Sequence, residues 1–200
     1  QPKVNQAYIW GLTRTVGNEL WFGTMSNTHC LVEGAYLGQN SPSVSASSVC
    51  EFGMSQQVRL GTAGPPPTPP NTIPAAIGDF RPPHIYAYNL GTQSLVEKTV
   101  PAPVQAALNT TIGLRAAGTL NDVVLLAGPS LQSGLNMFAF RASTGTFLGY
   151  QYFPVYTNIR KFVVAGGVLY AGVGRKATVP AIPGEKTGRV LRWTGSIAAP

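Results

Sequence analysis

A pattern of about 50 residues runs three times along this chain, and it limits the fold more than any single residue does. Its least interrupted copy is residues 121–154, NDVVLLAGPSLQSGLNMFAFRASTGTFLGYQYFP. The copy opens on a compact apolar run ending in Gly128, passes through the aromatic-rich MFAFR, turns at STGT and closes on Pro154. Short β-rich runs bounded by Gly, Ser and Pro are strand and hairpin signals. Residues 83–101 match this copy without a gap. Ile85-Tyr86-Ala87-Tyr88 falls on Met137-Phe138-Ala139-Phe140 at an offset of 52, and Leu95-Val96 on Phe147-Leu148. A weaker third copy, Val190-Leu191-Arg192-Trp193-Thr194-Gly195, lies at an offset of 53. The hairpins ahead of these strands repeat as well: residues 9–23, 112–128 and 159–172 each read strand, tight turn, then an apolar strand ending in Gly23, Gly128 or Gly172.

Each unit is therefore strand, strand, loop, strand, turn, strand: a four-stranded antiparallel sheet of the kind stacked as a propeller blade. The expected fold class is all-β, with about three blades forming part of a larger ring. The first unit spans 4–101 and is interrupted by an insertion at 26–82. The second spans 102–154, and the third, 155–200, lacks a convincing last strand. Three blades cannot close a ring, since propellers typically have about 4–8. The wedge would expose two sheet faces, to be covered by the rest of the same propeller or by another chain. A packed β-sandwich-like arrangement is the structural alternative. No helix is expected, because the best candidate, Val104–Asn109, is barely more than a turn. Composition agrees: only 10% of residues are charged, while Gly and Pro supply 40 of 200. That balance suits a loop-rich β protein, and the well-spread Val, Leu, Phe, Tyr and Trp exclude disorder.

The connection between the second and third strands varies most. It is short in the second unit, VGRKATVPAIPGEKTGR (173–189) in the third, and the whole insertion in the first. The insertion carries Cys30 and Cys50 around a Ser-rich run, then a Pro-rich stretch at 64–70 expected to be polyproline II. Two cysteines flanking a loop point to a disulfide, with two free thiols as the alternative. In the first hairpin, Trp10 and Trp21 are expected to lie near one another as core residues, with a ligand-stacking platform as the alternative.

The strands IYAYNLGTQSL (85–95) and MFAFRASTGTFL (137–148) resemble the blade element of the PQQ-like, or quinoprotein-like, β-propeller superfamily. Thr144-Gly145 and Thr194-Gly195 supply its Thr-Gly pair, and Gly91-Thr92 is a scrambled form. The resemblance covers most of the chain outside 26–82. It implies a propeller and, in catalytic members, a quinone held between a Trp and a vicinal disulfide with Ca²⁺ on carboxylates. Here the cysteines are not adjacent and the seven carboxylates are scattered, so no catalytic or cofactor-binding residue carries over.

Nothing else in the chain spells a catalytic site. There is no CxxC or Cys/His cluster and no G-x-S-x-G elbow. His29 and His84, which flank the insertion, are weak metal candidates beside Cys30; loop hydrogen bonding is their bland role. Asn109-Thr110-Thr111 is the one glycosylation sequon. Net charge is +7, and residues 151–200 hold seven basic residues against Glu185 alone. Arg160, Lys161, Arg175, Lys176, Lys186 and Arg189 are the candidate contacts to an anionic partner, against the plain alternative of a solvated face. No nucleic-acid motif is present, and no stretch reaches the ~18 apolar residues of a spanning helix.

The expected function is a non-catalytic binding or scaffold segment of a secreted, periplasmic or cell-surface β-propeller, with contacts made by inter-strand loops and no cofactor. The alternatives are a piece of a propeller enzyme, an oxidoreductase or hydrolase whose catalytic residues lie outside this chain, and a structural subunit of a surface assembly.

Overall fold

In the computed structural model, residues 8–25, 82–130, 132–177, 180 and 182–200 are described. They form three antiparallel sheets and one short helix. Sheet 1 runs β1 (Tyr8–Arg14), β2 (Glu19–Met25), β3 (Ile85–Asn89), β4 (Ser94–Lys98), each strand pairing with the next. Sheet 2 repeats that order with β5 (Ala116–Leu120), β6 (Val123–Pro129), β7 (Leu135–Arg141) and β8 (Phe147–Phe153). Sheet 3 has three strands, β9 (Tyr156–Ala165), β10 (Val168–Arg175) and β11 (Gly188–Arg192). No closed barrel or closed ring is present among the described residues.

The hairpin turns follow from their residues. Asn121 and Asp122 join β5 to β6 with φ of 48° and 64°, and Gly166-Gly167 join β9 to β10 with φ of 56° and 73°. Two consecutive left-handed residues match the right-handed twist of the strands they connect, and Asn, Asp and Gly tolerate them best.

The sheets stack face to face through their first strands. Thr13 and Thr119 share a hydroxyl hydrogen bond of 3.1 Å between β1 and β5. Arg115 donates to Asn158 Oδ1 at 3.2 Å between the start of β5 and β9. A Cβ on Gly11 would sit 2.8 Å from the Ala116 carbonyl carbon, and one on Gly118 would sit 2.4 Å from Phe162 Cβ. The contacts advance together along the chain, so β1, β5 and β9 run parallel, side by side, without being paired.

Sheet 2 is the filling. Every residue of β6 is buried, which is why VVLLAGP shows no alternation. Val124, Leu126, Phe138 and Phe140 pack toward sheet 1, against Trp21, Ile85 and Ala87. Val123, Leu125, Ala127 and Ala139 pack toward sheet 3, against Ile159, Phe162 and Leu169. Trp21 and Phe140 hold ring centroids 5.6 Å apart across the first interface. Each fully buried side chain of this size contributes roughly 1.5–3 kcal/mol. Trp10 does not share that cluster; it packs with Met25 and Ile112, under the Arg115 guanidinium 4.8 Å away.

Three expectations are corrected. A helix does form: α1 (Ala102–Asn109), eight residues with a proline in its first turn. Tertiary burial overrides its short length, because Leu108 enters the core between sheets 1 and 2 with Val104 and Ala107 beside it. In the first unit Thr92 occupies the place of Thr144, and the left-handed position of Gly145 (φ 73°) is taken by Gln93 (φ 55°). The pair there is not scrambled; its glycine is replaced. The hydroxyl pairs agree, Thr92–Ser94 and Thr144–Thr146 both at 2.8 Å. In the third unit Thr194-Gly195 comes three residues ahead of that place, because Trp193 donates its amide to Leu169 and continues the β11 ladder.

Candidate functional site

Parallel first strands send every connection between second and third strands out at one end of the stack. The ends of the 26–82 insertion (Met25 and Pro82), the Ser130–Gly134 turn and the loop between Arg175 and Gly188 therefore open in the same direction. Cys30, Cys50 and His29 lie outside the described residues.

The structure divides the basic residues. Arg175 pairs with Glu185 at 3.1 Å. Arg189 donates to the carbonyls of Lys186 and Gly188 at 2.6 and 2.8 Å, curling back on its own strand. Lys176 and Lys186 are exposed on the loop. Arg160 and Arg189 are brought together: both line a groove of about 630 Å³ over Gly172, Gly174 and Gly188. A Cβ at Gly172 or Gly188 would meet nothing, so the floor is open backbone at those two positions, while one at Gly174 would lie 3.2 Å from Thr157 Oγ1. Two guanidiniums beside an unobstructed floor can take a carboxylate or phosphate in the forked geometry arginine favours. Lys161 stands on the adjoining face of sheet 3 in one row with Gly172 and Val190.

Arg192 was not singled out as a contact, yet it shares this face with Lys161, across from Tyr170. The signal was present in the repeat: Arg192 stands where Ala87 and Ala139 stand in the other sheets.

His84 is described, and its Nδ1 meets Glu97 Oε1 while its ring stacks on Tyr86 at 6.0 Å. Burial, and then the Glu97 carboxylate, pushes the Tyr86 phenol above its ordinary value. Among the described residues no three His, Cys, Asp or Glu side chains gather as a metal set. Asn109 sits exposed at the end of α1, accepting from Gln105 Nε2 at 2.9 Å, while the Thr111 hydroxyl of its sequon donates to the Ala107 carbonyl at 2.8 Å and is fully buried.

An apolar cavity of about 720 Å³ lies between sheets 2 and 3, lined by Leu125, Met137, Phe153, Leu169 and Trp193. The Trp193 indole N–H is buried there without a hydrogen-bond partner. No helix among the described residues is long and apolar enough to cross a membrane.

No protein-family model matches this chain, and no curated protein matches it.

Proposed function

We propose that this chain is a non-catalytic binding or scaffold module of a β-propeller of the quinoprotein-like kind, acting outside the cytoplasm, at the cell surface or in the periplasm. Its contacts come from the connections between second and third strands. One observation carries this reading: three sheets of like strand order stack through parallel first strands, so the two chain ends that flank the insertion, at Met25 and Pro82, and the basic loop lie at the same end. Constant strands with divergent loops at one end are how repeat folds separate framework from recognition. The basic loop and the Arg160–Arg189 groove make the partner of that end anionic.

The test is retention on an immobilised polyanion such as heparin, with elution by a salt gradient. The reading expects Lys176→Glu/Lys186→Glu to elute at clearly lower salt than wild type, with unchanged circular dichroism. Arg160→Ala should lower it further. Equal elution of all three proteins would remove the loop as the contact surface.

A further inference from the structure

The repeat, laid on the observed register, shows what each uncovered sheet face is. One transverse row of sheet 2, Ala117–Leu126–Phe138, faces sheet 1 and is buried; the matching row of sheet 3, Phe162–Ala171–Leu191, faces sheet 2 and packs the same way. In sheet 1 that row is Leu12–Phe22–Tyr86, and no sheet among the described residues faces it. Leu12 is 55% exposed, where its counterpart Phe162 is 7%. The next row repeats the contrast: Val124 and Phe140 are fully buried in sheet 2, but their counterparts Leu20 and Tyr88 are not. Sheet 1 thus shows outward the half-interface that sheets 2 and 3 use to seat on the sheet before them.

Sheet 3 shows the other half. Trp21 of sheet 1 and Leu125 of sheet 2 face the sheet that follows, and Tyr170 is their counterpart. Gly23 and Ala127 correspond to Gly172; Ile85 and Met137 correspond to Val190, which is 75% exposed. Two positions depart from the pattern. Lys161 replaces Gly11 and Ala116, and Arg192 replaces Ala87 and Ala139. The face that would meet them offers the Tyr86 and Tyr88 rings and the Glu97 carboxylate, all in the two outward rows. A guanidinium is held by ring faces and by a carboxylate alike. The one cation in those rows, Arg14, is engaged with Asn18 Oδ1 at 2.8 Å.

We infer that these two faces belong to one interface between copies of this chain, sheet 3 of one copy seating on sheet 1 of the next, head to tail. The occupant is a second copy because the chain already makes this interface twice within itself, and the two faces that no described sheet covers are the unmatched halves. Tyr170 against the partner's Tyr88 would take the place of Trp21 against Phe140. A head-to-tail contact closes into a ring or runs on as a filament. Closure with two copies gives six sheets, inside the propeller range of about 4–8, and this closure step alone rests on the propeller reading.

The test is the mass of the full chain in solution, by light scattering after gel filtration, with Leu12→Glu on one face and Val190→Glu on the other. Both sites are exposed, so both variants should fold, as melting temperature will check; Val163→Glu is a second variant for the sheet 3 face. Wild type should show a whole multiple of the single-chain mass and each variant alone the single mass. An equimolar mixture of the two variants should form a one-to-one pair, since each retains the half that the other lacks. Wild type that stays single, a variant that assembles like wild type, or a mixture that fails to pair would each overturn the inference. A single chain whose sheet 1 face is protected from hydrogen exchange would also overturn it, assigning that face to residues 26–81. Imaging of the assembly separates the two readings: an open filament keeps the interface and removes the propeller.

Discussion

The Tyr150 hydroxyl donates to Oδ1 of the fully buried Asn136 at 2.8 Å, tying β8 to the start of β7. Asn136 in turn donates through Nδ2 to Thr111 Oγ1 at 2.8 Å and to the Ala107 carbonyl at 3.1 Å. One amide thus fastens sheet 2 to α1 and to the segment that follows it. Asn136→Leu leaves a buried phenol, hydroxyl and carbonyl with fewer partners, so it should cost about 2–3 kcal/mol or more in denaturant unfolding. Tyr150→Phe, which orphans only one acceptor, should cost about 1–2 kcal/mol. Burial also raises the Tyr150 phenol, with Tyr152 adding to it, so this tyrosine should ionise later than an exposed one in an ultraviolet titration.

Close approach of backbone segments, between first strands and between β6 and the segment ahead of β5, depends on missing side chains. A Cβ at Gly118 would fall 2.4 Å from Phe162, and one at Gly128 would fall 1.7 Å from the Gly113 carbonyl oxygen. Gly118→Val should lower stability by about 1–3 kcal/mol through overpacking, and Gly128→Ala by at least as much, because backbone must move. Gly172→Ala meets nothing and should leave the melting temperature of the single chain within a degree or two of wild type.

Asp122 links the β5–β6 turn to the β7–β8 turn. It accepts from Arg141 Nε at 2.9 Å and from the Ser143 amide and hydroxyl, both at 2.7 Å. The Arg141 hydrogen bond, then those from Ser143, hold its carboxyl below the ordinary carboxylate value. A depressed folded value means the stabilisation is complete above the unfolded pKa of about 3.9 and is lost as pH falls through the folded one. Asp122→Asn, which tolerates the left-handed turn, should be less stable at neutral pH by under about 1 kcal/mol, given the solvent exposure of the pair. The two unfolding curves should converge in acid, as pH falls through the lowered Asp122 value.

Leu108 tests whether α1 belongs to the core. It is 6% exposed and packs between sheets 1 and 2. Leu108→Ala should cost about 2–5 kcal/mol. A loss below 1 kcal/mol in chemical unfolding would make the helix a passive connector.

Much of the framework was legible in the chain. Short β-rich runs and turn residues mark the strands, and the ungapped match of Ile85–Tyr88 to Met137–Phe140 places Ala87 and Ala139 at one register position, as found. Local signals suffice there because strand and turn preferences act over neighbouring residues. The Arg160–Arg189 groove was legible only as charge. Its floor of glycines comes from β10 and β11, and only pairing sets them beside Arg160.

The sequence by itself determined the all-β class, the repeating order of strands and where the long connections fall, because β-rich runs, turn chemistry and repetition are written residue by residue. Tertiary structure alone decided the rest. It made α1 helical, since burial of Leu108 outweighs the cost of a short helix. It gave Gln93 the left-handed position of a glycine. It also separated chemically similar apolar rows: Phe138 is buried because a sheet lies over it, and Leu12, at an equivalent level of its own sheet, is exposed because no sheet among the described residues does.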